Sequence, residues 1–223
     1  MMERYSRLLE LEDINEDKLL LLKNKRVLII GVGGVGQHVA TYLATNGVVN
    51  LTLVDFDKVE LSNLNRQILL KEDDVGENKV DIVKREIMNR NSEVNITSIS
   101  KKVNSNNVSS LINDFDLVID AVDNWETKLI ISEEANKKHI PFLHIGVDGY
   151  KGQCCLFKNK SLKDLVSKDI ISSPKDGVIG PMVGLISSLA SITAFKYLIG
   201  EEVEIDTLIY YSEPSRLTKV KLS

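Results

Sequence analysis

The stretch from Arg26 to Gln67, RVLIIGVGGVGQHVATYLATNGVVNLTLVDFDKVELSNLNRQ, constrains the fold of this chain more than any other. Val27 to Ile30 is an apolar run of strand length, suited to a strand buried on both faces. Gly31, Gly33, Gly34 and Gly36 crowd the turn that follows. Glycine allows a tight turn there and lets backbone N–H groups approach an anion with no Cβ in the way. Val35, Val39, Tyr42 and Leu43 then recur at helical spacing, so the glycines open a helix whose positive N-terminal end suits a phosphate. A second strand, Leu51 to Val54, ends at Asp55, whose carboxylate can accept hydrogen bonds from both hydroxyls of a ribose. Together these predict an α/β fold: a Rossmann-like, doubly wound, mostly parallel sheet with a nucleotide at its carboxyl edge.

The segment after Asp55 narrows the chemistry. Asp57, Asn63, Arg66 and Gln67 lie within DKVELSNLNRQ, directly after the ribose carboxylate. A hydride-transferring enzyme needs no arginine and amides beside the phosphates, whereas an enzyme that acts on the phosphates does. A plain NAD(P)-dependent oxidoreductase is the competing reading, and only the glycine loop and Asp55 support it.

Residues 3 to 23 are amphipathic and predict one or two short helices, with Leu8, Leu11, Leu19 and Leu22 as packing residues and Arg4, Tyr5 and Arg7 on a solvated arm. Residues 1–24 are thus expected to form a helical arm on a single domain spanning 1–223. Glu77 to Asn89 has a helical apolar face, with Lys79 in its first turn. Val94 to Val103 reads as a strand, Ser105 to Ile112 as a short helix and Phe115 to Val122 as a buried strand. Asp120, Asp123 and Asn124 stand at that strand's carboxyl edge, where a doubly wound sheet binds its ligand. They could hold a divalent cation or position a phosphate. Asp123 or Asn124 could equally cap the next helix, Trp125 to Lys138. Ile140 to Val147 and Gly152 to Lys158 are strands with no helix between them, so the sheet turns antiparallel at that point. Asn159 to Gly180 reads as a mobile connection and Pro181 to Ile199 as a long apolar helix. Thr207 to Ser212 and Leu217 to Leu222 close the sheet as antiparallel strands.

The chain has 223 residues, 43% of them hydrophobic, enough for one α/β core. A net charge of −4 with mixed signs gives no basic stripe for nucleic acid. No apolar run reads as long enough to span a membrane, and the N-terminus lacks a signal-peptide layout, so the expected location is cytoplasmic. The two cysteines, Cys154 and Cys155, are adjacent and so point to opposite faces of a strand. With no CxxC, no structural zinc is expected.

Taken together, RYSR at 4–7, GVGGVG at 31–36, DFDKVELSNLNRQ at 55–67, Lys79, DAVDN at 120–124 and GVIGPMVG at 177–184 resemble the MoeB/ThiF family, bacterial relatives of the ubiquitin-activating enzymes. The motifs keep the family's order and spacing over nearly the whole chain. The resemblance implies an adenylyltransferase that binds ATP and Mg²⁺ and then a ubiquitin-fold carrier protein ending in Gly-Gly, such as MoaD or ThiS. The carrier's terminal carboxylate attacks the α-phosphate, releasing pyrophosphate and leaving an acyl adenylate. Carried over by position, Gly31, Gly33, Gly34 and Gly36 form the nucleotide loop and Asp55 holds the ribose. Asn63, Arg66 and Lys79 contact the phosphates, Asp123 binds Mg²⁺, and Asp57 and Asn124 join the nucleotide-binding set. Arg7 reaches into a neighbouring subunit's site, which makes a homodimer the working unit.

The chain departs from the family pattern in two respects. The paired CxxC motifs of many members are missing, and the positions where others place a reactive cysteine read Ser172, Ser173, Pro174, Lys175 and Asp176. Adenylation is therefore expected, without a thioester on this chain unless Cys154 or Cys155 serves. Other substrates for the same chemistry are a peptide C-terminus or a modified tRNA base. A non-catalytic subunit that has kept the fold is a further alternative.

Overall fold

A computed structural model describes residues 2–166, 177–212 and 216–222. After a short 3₁₀ turn, Met2–Tyr5, the elements run α1 (Glu16–Asn24), β1 (Arg26–Ile30), α2 (Gly34–Thr45), β2 (Asn50–Val54), α3 (Lys79–Arg90) and β3 (Asn95–Ile99). They continue with α4 (Val108–Leu111), β4 (Leu117–Asp120), α5 (Trp125–Lys137), β5 (Phe142–Asp148) and β6 (Lys151–Phe157). The last are α6 (Lys163–Val166), α7 (Gly180–Leu198), β7 (Thr207–Ser212) and β8 (Arg216–Lys221). One eight-stranded sheet has the order β3-β2-β1-β4-β5-β6-β7-β8. The pairs from β3 to β5 are parallel, and those from β5 to β8 are antiparallel. This is the doubly wound order with an antiparallel extension that the sequence predicts.

Alternation along β1 shows why the sheet is covered on both sides. Val27 and Ile29 enter one apolar cluster with α2, α3 and α7, while Leu28 and Ile30 enter the other with α5 and the Leu162–Leu165 turn. Each fully buried side chain of this size contributes roughly 1.5–3 kcal/mol through lost apolar exposure. Cys154 and Cys155 divide between the same two clusters, as neighbours in a strand must. Both thiols are buried and free. Burial pushes the Cys154 pKa up to about 12 and raises that of Cys155, so neither supplies a thiolate nucleophile at neutral pH.

Register brings the site together. Ile30 lies opposite Val54 on one side and Asp120 on the other, so Gly31, Asp55 and Ala121 leave the sheet at the same level. The gap between β1 and β4 is the topological switch point, where connections leave on opposite faces and a crevice opens.

Several sequence expectations shift. Tyr5 is an anchor and not part of a solvated arm: it is 1% exposed, its hydroxyl accepts the Asn91 amide at 3.3 Å, and the Lys23 ammonium lies 5.5 Å from its ring centroid. Leu11, read as a packing residue, is exposed, whereas Leu19 and Leu22 are buried. β3 stops at Ile99, and Lys101 and Lys102 beyond it are exposed. Part of the predicted mobile connection is ordered: Leu162 and Leu165 are buried, and the Leu162 N–H donates to the Ser132 hydroxyl at 2.9 Å. Residues 172–176, where the reactive cysteine is missing, lie outside the described residues.

By length and composition α7 is apolar enough to cross a membrane, with mean hydropathy 1.3, contrary to the expectation that no run reaches that length. It packs instead on α2, β5 and β6, burying Met182, Val183, Ile186 and Ala190. Gly152 in β6 makes room for it, since a Cβ there would overlap the Ile186 side chain.

Candidate active site

A cavity of about 810 Å³ opens at the switch point, within the range of small-molecule sites. One side of it is the turn after β1. Gly31 has φ +89°, and a Cβ on it would stand 2.6 Å from the Ala121 carbonyl oxygen, so the turns after β1 and β4 are braced against each other. Gly33 and Gly34 line the cavity, and α2 begins there without a side-chain cap, leaving its first N–H groups for a ligand. Gly36 faces elsewhere: a Cβ on it would overlap the Gly31 carbonyl oxygen. Its role is close helix–strand packing and not ligand contact.

Asp55 is held by the backbone. Its Oδ2 accepts Val32 N–H at 2.8 Å and its Oδ1 accepts Asp57 N–H at 2.9 Å, so each oxygen keeps a lone pair for a hydroxyl. Burial raises its pKa above the ordinary carboxylate value despite those N–H bonds and the Lys79 charge. The ribose binding expected of Asp55 uses the ionised form, so it should be complete above the raised pKa and lost as pH falls through it. Titration with adenosine, whose ribose does not ionise in that range, should show affinity failing at a higher pH than an ordinary aspartate would give. Asp55→Asn should bind adenosine about tenfold or more weakly, with that acid limb gone.

Lys79 opens α3 and is buried, its Nζ 2.8 Å from Asp57 Oδ2. Asp57 is thus an ion-pair partner that holds the ammonium at the cavity wall. Arg66 donates from Nη1 to the Ser62 carbonyl at 2.9 Å and to Asn65 Oδ1 at 2.8 Å, which leaves Nε and Nη2 for a ligand among the described residues. Asn63 is buried and closes its own turn, its Oδ1 accepting Glu60 N–H at 3.1 Å. Asn124 is the cap of α5, accepting Thr127 N–H at 2.9 Å. That leaves Asp123 exposed at the cavity with no hydrogen bond or ion pair among the described residues.

Asp123 fits the role of Mg²⁺ ligand. Mg²⁺ prefers hard oxygens and is commonly held by one or two carboxylates together with substrate phosphates and water. The other acid of the motif, Asp120, does not fit the cation-holding role read from the sequence. It is wholly buried, with Lys128 Nζ and His144 Nδ1 each 2.9 Å from its Oδ2.

The cavity therefore gathers Gly31, Gly33, Gly34, Asp55, Asp57, Asn63, Arg66, Lys79, Asp123 and Asn124. Arg7 is not among them. It is exposed on the arm, paired with Glu10 at 2.9 Å. Sequence reasoning missed Lys101 and Lys102 on the Asp55 side, where the Lys102 ammonium lies 5.4 Å from the Phe56 ring centroid. Only the adjacency of two lysines at a strand end could have flagged them. Gln67, one of the amides the sequence places after the ribose carboxylate, is a buried wall residue whose Oε1 has no hydrogen-bond partner among the described residues. A chain of net charge −4 thus concentrates cations around one crevice, an arrangement suited to a polyanion.

Residues 5–222 match the model of the ThiF family. A probable molybdopterin-synthase adenylyltransferase of Gracilaria tenuistipitata var. liui is 34% identical over 205 residues, covering 89% of this chain and 58% of its own length. The molybdopterin-synthase adenylyltransferase of Escherichia coli is 33% identical over 206 residues, covering 89% of this chain and 83% of its own. The crystal structure of E. coli MccB with ATP superposes with a TM-score of 0.85 over 98% of this chain and 71% of that one. At 23% identity this likeness concerns the fold.

Proposed function

The chain belongs to the ThiF family, and from that premise we propose that it is an ATP-dependent adenylyltransferase that activates the C-terminal glycine carboxylate of a ubiquitin-fold sulfur-carrier protein. The observation that carries this reading is the meeting of Arg66, Lys79 and Asp123 in one cavity with the Gly31–Gly34 turn and Asp55. A carboxylate attacking an α-phosphate is one anion approaching another, so repulsion dominates the barrier. Fixed positive groups lower that repulsion and stabilise charge as it develops on the phosphate oxygens.

Asp55 anchors the ribose, and the uncapped start of α2 faces the phosphates. Arg66 offers its free N–H groups, and Lys79, held by Asp57, offers a point charge. Asp123 would hold Mg²⁺, which when bound neutralises part of the triphosphate's charge. The attacking carboxylate is already ionised at pH 7, so no general base is needed. In the homodimer we propose, Arg7 completes the partner's site.

Exchange of labelled pyrophosphate into ATP tests the reading. Exchange should appear only when a ubiquitin-fold protein ending in Gly-Gly is added. Exchange driven equally well by a short free peptide would instead assign a peptide C-terminus as substrate. ATP binding without exchange for either would sink the proposal.

A further inference from the structure

The sheet order divides the cavity. Asp55 follows β2, the glycine turn follows β1, Asp123 follows β4, and the cavity then continues over Gly146 on β5, Gln153 on β6 and Tyr210 on β7. At roughly 4.8 Å between strands, Gln153 lies about 19 Å across the sheet from the ribose end. The ribose and phosphate assignments use the β2–β1–β4 side and leave the β5–β7 wall to the molecule that brings the carboxylate.

That wall is built on a buried polar chain. Asp120 accepts from Lys128 Nζ and from His144 Nδ1, each at 2.9 Å, and its other oxygen accepts Val122 N–H at 3.1 Å. Lys128 also donates to the Ile145 carbonyl at 2.8 Å. Burial, and then the neighbouring Lys128 charge, lower the His144 pKa, so the ring is neutral at pH 7. A carboxylate can only accept, so the ring proton sits on Nδ1 and Nε2 presents a lone pair. Gln153 Nε2, 3.1 Å away, donates to it. An ion pair between Asp120 and Lys128 would be complete without His144, and His144 would be held without Gln153. The additional members fix one thing, the direction of the Gln153 amide.

A free glutamine can present either end of its amide. Here the NH₂ must face His144, which leaves Oε1 and one N–H to be offered to the cavity. Gly146 is the register partner of Gln153 and sets no side chain beside its amide. A Cβ there would come within 3.5 Å of Gln153 Nε2 and 3.6 Å of His144 Nε2.

We infer that Gln153, oriented by His144 and Asp120, is a specificity-determining residue that grips the last peptide group of the acyl substrate. Its Oε1 accepts the peptide N–H, and its free N–H donates to a peptide carbonyl. The site thereby selects a peptide-type C-terminus over a simple carboxylic acid. This rests on the adenylation reading above and names what that site recognises.

The test uses the full chain, pyrophosphate exchange and two forms of one ubiquitin-fold protein. One ends in Gly-Gly, and the other in Gly-glycolate, where an ester oxygen replaces the last N–H at nearly constant shape. The wild type should prefer Gly-Gly by about tenfold in kcat/KM, mostly through KM, as one lost hydrogen bond predicts. Gln153→Leu, at a partly exposed position, should bind ATP–Mg²⁺ as the wild type does and treat the two carriers alike within about twofold. Equal preference in both proteins, or none in the wild type, overturns the inference alone. No exchange by the wild type with either carrier overturns the adenylation reading and this inference with it.

Discussion

Arg66→Ala is expected to lower carrier-dependent pyrophosphate exchange by about 10²–10³, the usual cost of removing one oriented donor from a site of developing negative charge. The fold should hardly notice, because among the described residues the guanidinium bonds only to Ser62 and Asn65 in its own turn. Loss of rate without loss of Tm is therefore the expected pattern, read by exchange kinetics beside thermal unfolding. Lysine at the same position should rescue only part of the rate, since an ammonium cannot reproduce the planar fork. Unchanged turnover in the alanine variant would remove Arg66 from the site.

Lys128→Met should act first on stability. It strips the cation from a wholly buried carboxylate, and breaking such a pair from one side costs about 3–5 kcal/mol. For a chain of this length that lowers Tm by on the order of 10 °C. Burial alone would raise the Asp120 pKa, but Lys128 and His144 together outweigh it and hold it below the ordinary carboxylate range. The stability this contributes is present above the ordinary carboxylate pKa and is lost as pH falls through the depressed one. Denaturant unfolding should accordingly show the largest deficit near pH 7 and a narrowing one in acid. Adding Asp120→Asn to the variant should restore much of the loss. A full deficit that persists in the double variant would point to lost packing around the lysine stem instead.

The sequence was most readable where function follows from local chain direction. A strand that ends in glycines, a second that ends in Asp55 and a third that ends in DAVDN must all deliver those residues to one edge once the strands are parallel and in register. Arg66 and Lys79 were legible because their spacing from Asp55 matches a family. What stayed hidden depends on distant partners. Asp120 and Asp123 look alike in the sequence, yet one is buried beside Lys128 and His144 and the other faces the cavity. Eight and twenty-four residues separate Asp120 from those two partners, and no periodicity links them. Tyr5 was misread for the same reason, since its hydroxyl partner Asn91 is 86 residues away. Gln153 and His144 meet only because β6 turns back on β5 in register, a pairing that strand prediction locates but cannot align.

On the proposed reaction, the placement of the two cysteines decides what happens after activation. One thiol points into each of the two apolar layers and neither can ionise at neutral pH. These 223 residues hold no other sulfhydryl, so they offer the activated acyl group no thioester waypoint. On that reading, the thiol or other nucleophile that collects it from AMP comes from outside these residues. The lifetime of the mixed anhydride against water then sets the window in which that acceptor has to arrive.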